Sequence, residues 1–116
     1  LFPKADISTL DWETFLNEGT ISDLLVNTTS LGLVGKPGWP KLDFTKQMPK
    51  NCWVSDIVAK PIKTDLLKAA QSQGLKTVPG WGMLLHQGLL AFEKFTGQKP
   101  NQKVMQETLL ATLKTS

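Results

Sequence analysis
The sequence predicts an α/β fold built on a parallel sheet, and three observations predict it. Short apolar runs alternate with stretches of helical spacing, the order that gives strand, crossover and parallel strand with right-handed connections. The runs are continuously apolar rather than cleanly alternating, which suits strands covered on both faces. Caps, prolines and glycines then fall where elements should start and stop. In chain order, a first strand is possible around residues 7–10, and "DWETFLNEGT" (11–20) makes a short helix. "SDLLVNTTSLG" (22–32) holds a strand at 24–26 that runs into hydroxyl residues and Gly32. "LVGKPGWPKLDFTKQMPK" (33–50), with three prolines and two glycines, reads as a mobile loop. "NCWVSDIVAKP" (51–61) holds a second strand, closed by Pro61, which cannot donate to a ladder. Thr64 caps a helix from Asp65, an acidic first position that suits the helix dipole. Leu66, Leu67 and Ala70 face inward there, and Gly74 supplies a left-handed stop. "LKTVPG" (75–80) is a third strand. Helices over about 82–96 and 101–114 close the chain, the first ended by Gly97, the second capped by Asn101 and burying Met105, Leu109 and Leu113.

Length and composition narrow the class. A chain of 116 residues with 41% apolar content is one soluble-type domain spanning 1–116, burying somewhat under ~70% of its unfolded surface. No apolar run approaches the ~20 residues a membrane span needs, and the first residues lack the basic-then-apolar pattern of a secretion signal. The chain starts without methionine, which suggests a processed product or a piece of a longer chain. Its net charge of +3 comes from thirteen scattered lysines and no arginine, so no basic face or Arg fork points to nucleic acid. One cysteine, Cys52, excludes an internal disulfide and fits a reducing cytoplasm.

In parallel sheets, ligands bind beyond the carboxyl ends of the strands. The three unusual stretches all lie there: Thr28-Thr29-Ser30, residues 56–59, and Gly80-Trp81-Gly82. The hydroxyls of "NTTSLG" could bond a ribose or an amide, or could merely satisfy loose backbone groups. Gly80 and Gly82 permit a tight turn and near approach of a flat ring, because no Cβ intervenes. Met83 offers a soft contact, and Gln87, four residues on, shares its helical face. A buried amide without partners costs ~1–3 kcal/mol, so Gln87 needs partners, either neighbouring backbone or a ligand hydroxyl. His86 points about 100° away and reads as a surface or interface residue. His86 and Cys52 lack zinc-site spacing, so no metal is expected. The glycine pattern of a dinucleotide-binding turn is missing, as is a phosphate-binding loop, and one His with one Cys makes no nucleophilic set.

"DLLVNTTSLGL", "VSDIVAKPIKTDLLKAAQSQGLKTVPGWGMLLHQGLLAFEKFTGQKP" and the closing helix resemble the carboxyl-terminal half of the shikimate 5-dehydrogenases, from about residue 21 onward. The resemblance implies half of a doubly wound, Rossmann-like sheet with flanking helices, from a two-domain oxidoreductase that reduces 3-dehydroshikimate to shikimate with NADPH in aromatic amino acid biosynthesis. It places Thr29, Ser30, Ile57, Gly80 and Met83 at the NADP cofactor, with Gln87 and the position of Ala59 at the substrate. Ala59 departs from the tyrosine usual in the family, which leaves a quinate-acting relative open. The family's catalytic pair and its Gly-rich phosphate turn lie ahead of this stretch, so the chain holds no catalytic residue and is expected to be inactive alone. A non-catalytic interaction module, self-associating through an unpaired sheet edge, is the alternative.

Overall fold
The computed structural model describes residues 3–115. Its elements in order are α1 (Trp12–Glu18), β1 (Leu24–Asn27), a 3₁₀ segment (Asp43–Gln47), β2 (Trp53–Asp56), α2 (Asp65–Ser72), β3 (Lys76–Val78), α3 (Gly80–Thr96) and α4 (Gln102–Lys114). The three strands form one parallel sheet in the order β1-β2-β3, with Leu24 opposite Trp53 and Trp53 opposite Lys76. The α/β reading therefore holds. The strand suggested at residues 7–10 does not form; that stretch is irregular and exposed, with Ile7 and Leu10 facing solvent.

Caps fix the helix starts. Asp11 accepts a hydrogen bond from the Thr14 backbone N–H at α1, Thr64 from Leu67 at α2, and Asn101 from Val104 at α4. Gly74 and Gly97 follow α2 and α3 with φ of 77° and 68°, left-handed values that a Cβ disfavours.

The core lies on one side of the sheet only. Leu16 of α1, Phe44 and Met48 around the 3₁₀ segment, Val54 of β2, and Leu66, Leu67 and Ala70 of α2 pack into one cluster. The segment 33–50 is thus no mobile loop: Phe44 is fully buried and packs at a tilt against Phe15, ring centroids 4.7 Å apart, and Trp39 stacks on Trp12. Apolar side chains outweighed the Pro and Gly content that suggested mobility. Because side chains alternate across a strand, Leu25, Asn27, Val54 and Asp56 point into the core while Leu24, Val26, Trp53 and Val78 point away. The outward set is 54%, 42%, 44% and 42% exposed, so the expectation of strands covered on both faces is corrected. Lys76 lies over the Trp53 ring on that open face, 5.0 Å from its centroid.

α3 and α4 form a hairpin packed on itself and only marginally on the sheet. Met105 sits against Gly88, where a Cβ would be 3.6 Å from its Cε. Met105, Leu109 and Leu113 are half-buried rather than buried, because α4 has α3 alone to pack against. The projecting hairpin raises the radius of gyration to 16.6 Å, against about 13 Å for a compact chain of this length.

Candidate functional site
At their carboxyl ends β1 and β2 each carry a polar residue on the inward face. Asn27 and Asp56 stand directly opposite in the parallel register, two residues beyond the apolar Leu25 and Val54. The Asp56 carboxylate is fully buried and accepts three hydrogen bonds: from Asn27 Nδ2 at 3.0 Å, Val58 N at 3.0 Å and Thr64 Oγ1 at 2.7 Å. Asn27 Oδ1 in turn accepts from Thr29 N at 3.0 Å and Thr29 Oγ1 at 2.7 Å, while Thr29 Oγ1 accepts from Leu31 N. This network shapes both loops that leave the sheet. Asn27 is a site residue not singled out in the sequence, and Thr64 is read there only as a helix cap. The signal for Asn27 is the parity step from Leu25, matched by that from Val54 to Asp56, which puts polar groups where a core demands partners.

Between those loops lies a groove of about 320 Å³, lined by Thr28, Thr29, Ser30, Leu33, Ile57, Val58 and Ala59. That is the lower end of the range for ligand clefts, enough for a ring and its sugar rather than a dinucleotide. Four of the predicted positions, Thr29, Ser30, Ile57 and Ala59, meet here. Their chemistry differs from expectation in one respect. The Thr29 hydroxyl is occupied within its own turn, the bland reading for that residue, whereas Thr28 and Ser30 are exposed with hydroxyls that bond nothing among the described residues. The lining has no charged side chain, so the groove can hold an uncharged ring and its hydroxyls but supplies no proton-transfer group.

α3 starts against this groove. Pro79 is the N-cap and Gly80 already the first helical residue, so Gly80-Trp81-Gly82 is the opening turn of the helix and not a bend ahead of it. Gly80 is required for packing: a Cβ there would sit 2.5 Å from the Ile57 carbonyl oxygen and 2.6 Å from that of Val58. The near approach inferred at this glycine is therefore made by protein backbone. Gly82 meets nothing within 4 Å and opens to solvent. Met83 and Gln87 lie outside the groove lining, one turn apart on an outer face of α3. Gln87 is exposed, and its amide has no hydrogen-bond partner among the described residues, which corrects the inference that it is buried and satisfied. The hairpin leaves the sheet, so nothing covers that face. His86 is exposed beside it.

A parallel sheet with its ligand-sized groove at the strand ends, flanked by helices, is the architecture of a Rossmann-like nucleotide domain, and solved structures with this fold superpose on the chain. Shikimate 5-dehydrogenase from Thermus thermophilus in complex with NADP(H) and shikimate matches with a TM-score of 0.69 and 32% identity, covering 90% of this chain and 38% of that one. Quinate dehydrogenase from Corynebacterium glutamicum in complex with NAD matches at 0.69 and 40% identity, covering 78% and 31%. In sequence, the NADP(+) shikimate dehydrogenase of Sinorhizobium medicae is 51% identical over 77 residues, 66% of this chain and 26% of that protein. The family model for the shikimate 5'-dehydrogenase C-terminal domain matches residues 80–110. The chain is homologous to the carboxyl-terminal part of the shikimate 5-dehydrogenases, and spans about a quarter to a third of the length of the curated relatives it matches.

Proposed function
We propose that the chain supplies the nicotinamide side of an NADP-dependent shikimate dehydrogenase, a cytoplasmic oxidoreductase of aromatic amino acid biosynthesis that converts 3-dehydroshikimate to shikimate. The observation that carries this reading is the uncharged groove at the ends of β1 and β2, where Ser30, Ile57 and Ala59 meet in a chain homologous to those enzymes. The residues present fit a nicotinamide: an apolar wall from Ile57 and Leu33, with free hydroxyls on Thr28 and Ser30. Met83, on the first turns of α3, flanks the ring. The Gly80 backbone contacts the carboxamide, and Gln87 reaches a substrate hydroxyl across a cleft closed by a second domain. NADPH supplies the hydride, and this chain binds and orients. No group in the groove can move a proton, so the chain alone is inactive.

The test is a coupled NADPH assay with 3-dehydroshikimate. The 116-residue chain alone should show no turnover, and mixing it with the preceding two thirds of a relative should restore it. Turnover by the chain alone, or none after complementation, would count against the reading. A second reading, a relative acting on quinate, is left open by Ala59, which offers the groove neither ring nor hydroxyl. Quinate oxidation with NAD by the complemented enzyme separates the two. A non-catalytic module that self-associates through the unpaired edges of β1 and β3 predicts concentration-dependent sedimentation instead.

A further inference from the structure
The two lips of the groove, residues 28–31 from β1 and 57–59 from β2, are joined at their root by the Ile57 N–H donating to the Asn27 carbonyl at 3.2 Å, and by side chains through the Asn27–Asp56 pair. Asp56 Oδ1 receives both the Asn27 amide, which shapes the first lip, and the Val58 backbone N–H in the middle of the second. Its other oxygen receives the Thr64 hydroxyl, which also caps α2. No second polar side chain spans from β1 to β2 in the hydrogen-bonding pattern of the described residues at this end of the sheet. The geometry points to Asp56 as a positioning residue: it is buried outside the groove lining, but acting through Asn27 and Val58 it sets the shape of both groove lips. The role rests on the reading of this groove as the nicotinamide seat, because those lips carry Ser30, Ile57 and Ala59.

The hydrogen-bond directions make the claim sharp. In Asp56→Asn the oxygen facing Asn27 and Val58 is kept. The new amide N–H faces Thr64, whose hydroxyl can rotate to accept it. In Asp56→Ala every partner is orphaned. Amide hydrogen exchange on the full 116-residue chain, followed by NMR, reads the lips directly and requires no ligand, so its outcome is separate from that of the activity assay. Asp56→Ala should speed exchange at Thr29, Leu31 and Val58 by roughly ten- to a hundredfold, the factor expected on losing a buried hydrogen bond. Val54 and Leu66 in the core should change far less, and Asp56→Asn should stay near the parent rates. Equal acceleration of lips and core, or Asn as damaging as Ala, would show that Asp56 is merely a core residue and overturn the assignment. If the Ala variant fails to fold, Asn27→Ala decides: faster exchange at Val58, whose amide bonds Asp56 and never touches Asn27, with Val54 and Leu66 unchanged, upholds the coupling of the lips through Asp56. An unchanged Val58, or loosening throughout, ends it.

Discussion

Substituting alanine at Gly80 and at Gly82 adds the same methyl group to the same helical turn and should have opposite effects. At Gly80 the new Cβ would lie 2.5 Å from the Ile57 carbonyl oxygen and 2.6 Å from the Ile57 carbon and the Val58 oxygen, all backbone atoms that no rotamer change can move. Restoring ordinary contact requires α3 and the end of β2 to part by about 0.9 Å. Overpacking of this kind costs about 1–3 kcal/mol, against which alanine's better helix propensity returns at most about 1 kcal/mol. The net loss of about 1–2 kcal/mol corresponds to a Tm lowered by about 4–10 °C in a chain of this size. At Gly82 nothing lies within 4 Å, so the same propensity acts alone and Tm should hold or rise by about 2–4 °C. Thermal unfolding by circular dichroism, with two-dimensional NMR of the Val58 amide to locate the strain, gives the comparison. A Gly80→Ala variant as stable as the parent, or two variants that behave alike, would refute the reasoning.

Phe44→Ala should cost about 3–5 kcal/mol in urea unfolding, because a fully buried ring is lost from the segment that the sequence suggested was loose. Gln87→Ala should leave stability within about 0.5 kcal/mol, as befits an exposed side chain without partners, while raising KM for substrate in the complemented enzyme. The Thr14 hydroxyl and backbone N–H hold the Asp11 carboxyl below the usual carboxylate range. A depressed carboxyl stabilises the fold at pH above its unfolded pKa, ordinarily near 3.9. That contribution fades as pH falls through the lower folded value. Helix α1 should therefore fray below about pH 4, seen as a pH-dependent change in the Trp12–Trp39 fluorescence that Asp11→Ala removes.

Much of the architecture was legible because local chemistry set it: Thr64 and Asn101 are caps with their hydrogen bonds in place, and the three strands fall inside the apolar runs. What was not legible depended on partners distant in sequence. Residues 7–10 place the strand-favouring Ile7 and Thr9 close together, but no neighbouring strand pairs with them. Phe44 sits among prolines and lysines, and only tertiary contact with Phe15 and Trp39 shows it to be a core residue. For the groove, strand-end position located Ser30, Ile57 and Ala59. Yet the reason for Gly80 lay in a backbone more than twenty residues earlier, and the apolar setting of Gln87 on its helix gave no sign that the helix leaves the sheet.

The hairpin's direction is fixed almost wholly at its root. α3 is a rod of 17 residues, about 25 Å long, anchored where Gly80 meets the Ile57–Val58 backbone and free along most of its flank. Such a rod works as a lever: a tilt of about 10° at the root sweeps the far end through about 4 Å. Small changes at the strand end, whether from a substituted side chain or a molecule lodged beside it, would thus reappear magnified at Phe92 and Phe95.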